Sequence, residues 1–165
     1  MDPRLKAFLD TIAYGEGTST EDISVNDGYD VIVTGEVPGS NGTMMRHEEV
    51  FTDYSDHPFA NGRAPILVRP GLYSTASGRY QLMLHWWLAY KVELKLTDFS
   101  PASQDAVAVQ QITERHAIPM IEAGNIVGAI AACSNLWASL PGNSYDQGGK
   151  TMAVLETQYN SLLNS

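Results

Sequence analysis

Apolar residues recur at helical spacing near the start of the chain and predict a helix with one buried face. They are Leu5, Phe8, Leu9, Ile12 and Ala13, and residues three and four apart lie on the same side of an α-helix. Asp2 is suited to cap this helix and Pro3 to its first turn, whereas Gly15 and Gly17 predict its end. Glu16 continues the apolar stripe, so an acid is expected on the buried side of the helix.

A different pattern follows, in which β-branched and aromatic residues between Asn26 and about Asp56 predict a small antiparallel sheet. Asn41-Gly42 is a strong signal for a tight turn between two strands, so a protruding hairpin is predicted from Val37 to Val50. The next stretch, HPFANGRAPILVRPG, is interrupted by prolines and is predicted to form an irregular loop on the surface.

Helical periodicity returns in the second half of the chain. One predicted helix has on its buried face Leu82, Trp86, Ala89, Tyr90 and Leu94. A second begins at Ser100-Pro101 and is predicted to bury Ala102, Ala106, Val109 and Ile112. Shorter helices are expected around IPMIEAG, IVGAIAACSNLWASL and MAVLETQYNSLL. This order predicts one mostly helical α+β domain over residues 1–165, with a sheet subregion at about 26–56 between helix 3–15 and a helical subregion at about 79–165.

Composition and charge narrow the classes of function. With 165 residues, of which 44% are hydrophobic and 18% charged, the chain is expected to be a soluble folded domain. Its formal net charge of −9 disfavours nucleic acid as a partner. Cys133 is the only cysteine and no closely spaced histidines accompany it, so no metal site is predicted. The first ten residues carry charges where a secretory signal would be apolar, so cytoplasmic synthesis without export by the usual route is expected.

Two interpretations of Glu16 follow from its surroundings. A glutamate beside glycine at a helix end is most simply a solvated surface residue. Alternatively, burial and the negative end of the helix dipole both disfavour its charged form, which would raise its pKa until it can donate a proton near neutral pH. The residues around Glu16 do not decide between the two.

Several collinear segments of the chain together resemble the lambda-type phage endolysins, which are lytic transglycosylases with a lysozyme-like fold. The segments are KAFLD with EGT (Lys6 to Thr18), GYDVIV (Gly28 to Val33), FTDYSDHP (Phe51 to Pro58), GRYQL with WW (Gly78 to Trp87), DFSP to ER (Asp98 to Arg115), PMI, and CSN with WASLPG and the Tyr and Gln beyond it (Cys133 to Gln147). They cover most of the chain in one order, and strings such as FTDYSDHP and WASLPG are unusual.

The resemblance implies that Glu16 is the catalytic acid/base that protonates the leaving oxygen when the β-1,4 bond between N-acetylmuramic acid and N-acetylglucosamine is cut. A lytic transglycosylase then uses the C6 hydroxyl of the substrate and leaves a 1,6-anhydromuramoyl end. A hydrolytic muramidase, the first alternative, uses water and usually a second carboxylate; the acids that could serve are Asp22, Asp27, Asp30, Asp53 and Asp56. A wall-binding module without catalysis is the remaining alternative.

The resemblance also implies a set of glycan-binding residues. They are Tyr54, Gly78, Arg79, Tyr80, Gln81, Trp137, Pro141, Tyr145 and Gln147. GRYQL resembles the Gly-x-x-Gln element of lytic transglycosylases, in which Tyr80 would stack on a sugar and Gln81 would hydrogen-bond to it. Tyr80 and Trp137 can equally be core residues. The segment from Val37 to Val50 is longer than in the family, and we expect it to form a flap with Met44, Met45, Arg46 or His47 against the glycan.

The expected partners and location follow from the same resemblance. The enzyme would act as a monomer on peptidoglycan glycan strands, without a cofactor and without stable association with a membrane. It would collect in the host cytoplasm until a holin opens the inner membrane, and then reach the peptidoglycan in the periplasm.

Overall fold

The computed structural model describes residues 1–20, 22–142 and 149–165. Its α-helices are α1 (Pro3–Glu16), α2 (Leu84–Glu93), α3 (Pro101–Glu114), α4 (Ile118–Glu122), α5 (Ile126–Cys133) and α6 (Met152–Leu163), and a short 3₁₀ helix spans Thr18–Thr20. Its strands are β1 (Glu36–Pro38), β2 (Met44–Arg46), β3 (Ile66–Arg69) and β4 (Leu72–Ser74), which form the antiparallel pairs β1–β2 and β3–β4. The predicted α+β class is confirmed. None of the helices in the described ranges is long and apolar enough to cross a membrane.

The described chain divides into two compact units. The helical unit consists of residues 1–16 and 108–165, in which α1 packs on α4 and α6, and α5 packs on the same two helices. The hairpin unit consists of residues 17–107 and contains both strand pairs and α2. Helix α3 contributes its first half to the hairpin unit and its second half to the helical unit. The assignment of residues 1–165 to one domain stays a prediction.

Helix α1 begins as its sequence predicts. The Asp2 carboxylate accepts hydrogen bonds from the backbone N–H groups of Arg4 and Leu5, at 2.8 and 3.2 Å. The buried residues of the helix are Ala7, Phe8, Leu9, Thr11, Ile12 and Ala13. The prediction that Gly15 ends the helix is wrong, because α1 continues to Glu16. Gly15 instead leaves room for the Ser139 side chain, since a Cβ at this position would lie only 3.1 Å from the Ser139 Oγ.

The hairpin predicted around Asn41-Gly42 is confirmed, although its strands are shorter than expected. Glu36 pairs with Arg46 at the open end and Pro38 with Met44 at the turn. The prediction of an irregular loop after His57 is wrong in part, because β3 and β4 form a second hairpin there. Pro70-Gly71 makes its turn, and the left-handed φ of +77° at Gly71 suits a glycine. The prolines of this stretch lie outside the strands, so they limit the hairpin without preventing it.

Helix α2 is present, and the predicted residues Leu82 and Tyr90 are buried, but the predicted residues Trp86 and Ala89 are exposed. Trp87 is 0% exposed, whereas Trp86 is 51% exposed. The core cluster around it consists of Leu82, Trp87, Tyr90, Phe99 and Val107. Adjacent tryptophans point in different directions on a helix, so the sequence pattern allowed either one to be the core residue.

Of the predicted apolar face of α3, only Ile112 is buried. The residues it buries are Ser103, Gln104, Val107, Ala108, Gln111 and Ile112. The predicted residue Ala102 is exposed, and Ala106 and Val109 are only partly buried. Hydrophobicity pointed to the wrong face because half of the buried positions are polar, and buried polar side chains are stable where they are hydrogen-bonded.

Candidate active site

Glu16 is the last residue of α1 and its carboxyl is held by Ser139. The Ser139 hydroxyl donates a hydrogen bond to Glu16 Oε1 at 2.5 Å. Burial raises the pKa of Glu16 to about 7, although hydrogen bonds from the side chain and backbone of Ser139 act in the opposite direction. A substantial fraction of Glu16 is therefore protonated at neutral pH. This favours the interpretation of Glu16 as a proton donor over that of a solvated surface residue.

Ser139 comes close to Glu16 because small residues surround it. A Cβ added to Gly149 would collide with the Ser139 backbone, and one added to Gly15 would press on its hydroxyl. Sequence reasoning missed Ser139 as a functional residue. The available signal was its position within WASLPG, one of the segments that carry the family resemblance.

The predicted Gly-x-x-Gln element forms a closed loop in the hairpin unit. Ser77 and Leu82 exchange two backbone hydrogen bonds, at 3.1 and 2.9 Å, and residues 78–81 form the loop between them. The Gln81 Oε1 accepts a hydrogen bond from the Thr34 backbone N–H at 2.9 Å, and its Nε2 donates to the Gly78 carbonyl at 3.1 Å. The Gln81 amide is therefore fixed in orientation while its side chain remains partly exposed.

The other two residues of this loop point into the hairpin unit. Arg79 is buried, pairs with the Asp27 carboxylate at 2.7 Å, and lies over the ring of Tyr29. Tyr80 is also buried, and its hydroxyl donates to Asp105 Oδ1 at 2.7 Å. These contacts favour the core interpretation of Tyr80 and indicate a similar structural role for Arg79.

The remaining predicted binding residues lie in both units. Tyr54 is partly buried, and its hydroxyl accepts a hydrogen bond from Asn26 Nδ2 at 2.7 Å. Trp137 is buried in the helical unit, in agreement with its core interpretation, and Pro141 is partly exposed. Two further residues lie outside the described residues, namely Tyr145 and Gln147. For all of these residues, a role in glycan binding stays a prediction.

Two of the aspartates considered as a second acid belong to the internal network of the hairpin unit. Asp30 is buried and accepts hydrogen bonds from Ser24 Oγ and the Val25 backbone N–H, at 2.5 and 3.0 Å. Burial would raise the pKa of Asp56, but donors hold it below its usual range; they are Lys91 Nζ, Trp87 Nε1 and the His57 backbone N–H. Together with Asp27, which pairs with Arg79, these acids have structural partners.

His57 and Cys133 both lie in the interior of the protein. The ring of His57 is buried, with Nε2 2.9 Å from the Leu82 carbonyl oxygen. Cys133 is buried at the end of α5, and this burial raises the pKa of its thiol to about 12. Within residues 1–20, 22–142 and 149–165, no group of three or more histidine, cysteine, aspartate or glutamate residues could hold a metal ion.

Comparison with known proteins places this arrangement in a family. The family profile described as Endolysin matches residues 6–164. The chain is 49% identical to the endolysin of Escherichia phage P2, covering 93% of this chain and 88% of that protein. It is 53% identical to the endolysin of Escherichia phage lambda, with coverages of 86% and 80%.

The solved structures agree with this match. The structure named bacteriophage lambda lysozyme complexed with a chitohexasaccharide is similar with a TM-score of 0.85 and 47% identity, over 98% of this chain and 95% of that chain. A second lambda lysozyme structure has a TM-score of 0.74 and 45% identity, with coverages of 99% and 92%. The fold is thus the predicted lysozyme-like one, and its class is that of phage cell-wall lytic enzymes. The chain belongs to the endolysin family, whose members degrade peptidoglycan.

Proposed function

We propose that this endolysin is a lytic transglycosylase. It cuts the β-1,4 bond between N-acetylmuramic acid and N-acetylglucosamine and leaves 1,6-anhydromuramoyl ends. The observation that carries the proposal is Glu16, whose raised pKa of about 7 keeps a proton available for the leaving oxygen at neutral pH. The complex of lambda lysozyme with a chitohexasaccharide supports a β-1,4-linked N-acetyl sugar chain as the ligand of this protein as well.

In the proposed mechanism, Glu16 first acts as an acid and then as a base. Its proton goes to the glycosidic oxygen as the C1–O bond breaks and positive charge develops on the muramoyl ring. The resulting Glu16 carboxylate takes the proton of the C6 hydroxyl while that oxygen bonds to C1, so no water is consumed. Ser139 donates to the carboxyl throughout and stabilises the ionised form between the two steps.

The hydrolytic alternative would require an activated water, usually with help from a second carboxylate. Asp27, Asp30 and Asp56 each accept hydrogen bonds or ion pairs from neighbours in the hairpin unit. Releasing any of these three for catalysis would break those contacts. Asp22 and Asp53 are exposed, so the preference for the route through the C6 hydroxyl rests on the family resemblance. A wall-binding module would need no acid with a raised pKa, so Glu16 also favours an enzyme over that alternative.

Mass spectrometry of fragments released from purified peptidoglycan tests the proposal. Transglycosylation predicts anhydro ends, which are lighter than hydrolysis products by one water. Reducing ends would establish the muramidase instead. A wall-binding module would release no soluble fragments and would leave the turbidity of chloroform-treated cells unchanged.

The pKa of Glu16 predicts how activity depends on pH. The acid must be protonated to act, so kcat/KM is expected to fall as pH rises through about 7. Because the hydrogen bond from the Ser139 hydroxyl lowers this pKa, Ser139→Ala is expected to move the alkaline limb of the profile to higher pH. The measurement is kcat/KM for peptidoglycan fragments across a pH series.

Ser134→Ala is the matched control, because it makes the same change away from Glu16, at a buried serine of the same helical unit. It should leave the alkaline limb where the parent has it. A limb that stayed in place or moved to lower pH in Ser139→Ala would contradict the role given to this hydroxyl.

The β1–β2 hairpin is proposed to form a flap against the glycan. Met44 and Met45 are 49% and 55% exposed on β2. His47, by contrast, anchors the hairpin, since its Nδ1 lies 3.1 Å from the carbonyl oxygens of both Ile32 and Val33. The exposed methionines are therefore the better candidates for glycan contact, while His47 holds the base.

Deleting Pro38 to Glu48 while keeping the fold is expected to lower turnover on cell walls. Replacing Met44 and Met45 together with serine should lower it about fivefold, because losing ~1 kcal/mol of apolar contact is worth about that factor. The serine variant keeps the His47 anchor, so its melting temperature should match that of the parent. Unchanged turnover in both variants would rule out the flap.

The expected course of action in the host is also part of the proposal. We infer that the enzyme collects in the host cytoplasm, acts in the periplasm after a holin opens the inner membrane, and works as a monomer without a cofactor. Membership of the phage endolysin family supports this order of events.

A further inference from the structure

The loop formed by Gly78 to Gln81, called here the GRYQ loop, has an unusual backbone. Gly78 has φ +80°, and Gln81 has φ +49°, a left-handed conformation that is uncommon for a residue with a side chain. The Gly78 N–H donates to the Val31 carbonyl at 2.7 Å, and the Gln81 N–H donates to the Gly78 carbonyl at 3.2 Å. Such a conformation persists only where its surroundings hold it.

Gln104, on the buried face of α3, lies directly against this loop. Its Oε1 accepts a hydrogen bond from the Arg79 backbone N–H at 2.9 Å. Its Nε2 donates to the carbonyls of Tyr29 and Phe99, at 3.0 and 2.9 Å. The carboxamide thus uses its acceptor and both of its donors. Oε1 also occupies the space that a Cβ at Gly78 would need, so the amide and the glycine fit each other.

Asp105, the next residue of α3, holds the following residue of the loop. Its Oδ1 accepts hydrogen bonds from the hydroxyls of Tyr29 and Tyr80, at 2.8 and 2.7 Å. The two tyrosine rings meet edge to face, with centroids 6.3 Å apart. Burial, together with the charge of Asp105, raises the pKa of both hydroxyls, so both remain donors. The Arg79 backbone N–H and the Tyr80 hydroxyl are in this way both held by α3.

We propose that Gln104 and Asp105 are positioning residues for glycan binding, which act by fixing the GRYQ loop so that the Gln81 amide meets the sugar chain. The inference rests on the proposed function, in which Gln81 contacts the glycan. Gln81 is the only member of the loop that is not buried or a glycine, and its amide is aligned by Thr34 and Gly78. Both act through the loop and not by contact with the sugar: Gln104 through the Arg79 backbone N–H and Asp105 through the Tyr80 hydroxyl.

Binding of chitohexaose to the Glu16→Gln protein, measured by calorimetry, tests this without cleavage. Gln104→Met keeps the size of the side chain and removes its hydrogen bonds, and should raise Kd about tenfold, as should Gln81→Ala. Because both act through the same amide, the double variant should bind no more than about twofold more weakly than Gln81→Ala alone. If the two substitutions acted independently, the double variant would bind about a hundredfold more weakly than the parent, and the proposal would be overturned.

Gln111→Met is the matched control, since it makes the same change at another buried glutamine of α3, and its Kd should stay within about twofold of the parent. If Gln104→Met does not fold, the Asp105 variants decide. Asp105→Ala should raise Kd, and Asp105→Asn should restore most of the affinity because its carboxamide oxygen can accept both hydroxyls. Equal binding by these two variants would contradict the proposal.

The outcome separates this inference from the proposed function. If the parent bound no chitohexaose, glycan binding itself would fail and the inference would fall with it. If the parent bound the sugar and Gln104→Met bound it equally well, only the positioning role would fail.

Discussion

Replacing Glu16 with glutamine is expected to lower kcat at least about 1000-fold, within the range that a positioned general acid contributes. Glutamine keeps the shape of the side chain and can still accept a hydrogen bond from Ser139, but its amide cannot deliver a proton to the leaving oxygen. Glycan affinity should stay close to that of the parent, because only the reacting step uses the proton. Initial rates of fragment release from purified peptidoglycan measure the effect.

Glu122→Gln makes the same change at an exposed glutamate of the helical unit and should keep activity within about twofold of the parent. If Glu16→Gln retained near-parental lysis, the assignment of the active site would be wrong.

Stability gives an independent check that Glu16→Gln is folded. The folded protein holds the Glu16 proton up to about pH 7, whereas the unfolded chain releases it near the ordinary value of 4.5. The folded state therefore binds more protons in this window, and the free energy of unfolding of the parent falls as pH rises through it. Glutamine removes this loss, so the variant should be more stable than the parent above about pH 7, by up to about 3 kcal/mol.

Gly78→Ala is expected to lower the free energy of unfolding by about 2–5 kcal/mol. The φ of +80° is strained for alanine and costs roughly 1–2 kcal/mol. In addition, the new Cβ would collide with Gln104 Oε1 and push it from the Arg79 N–H, and an unsatisfied buried donor costs about 1–3 kcal/mol. Denaturant unfolding of the parent and the variant measures the difference.

Gly62→Ala separates the two contributions. Gly62 has φ +83°, nearly the value of Gly78, but an added Cβ would meet nothing within 4 Å. Gly62→Ala should therefore lower the free energy of unfolding only by the cost of the strained backbone, roughly 1–2 kcal/mol. Equal losses at the two glycines would show that the Gln104 contact contributes nothing.

Local signals in the sequence predicted the elements that depend on neighbouring residues. The cap at Asp2, the apolar face of α1 and the turn at Asn41-Gly42 all follow from residues close together in the chain. The β3–β4 hairpin does not follow from the sequence pattern because prolines disfavour strands, although Pro70-Gly71 is itself a turn signal.

The sequence was less informative where the structure depends on distant residues. The buried face of α3 carries Gln104, whose hydrogen-bonding partners lie far away in the chain, so no hydrophobic period could reveal it. Ser139 was missed for the same reason, since it meets Glu16 across 123 positions. Glu16 itself could be singled out because helical spacing placed it on the apolar face and the family resemblance gave it a role.

Digestion of purified peptidoglycan in water labelled with heavy oxygen shows directly whether the C6 hydroxyl or water attacks C1. If the C6 hydroxyl attacks C1, the new muramoyl ends are anhydro sugars and carry no label. If water attacks instead, each new reducing end carries one labelled oxygen. Unlabelled anhydro ends are expected, and labelled reducing ends as the main product would contradict transglycosylation.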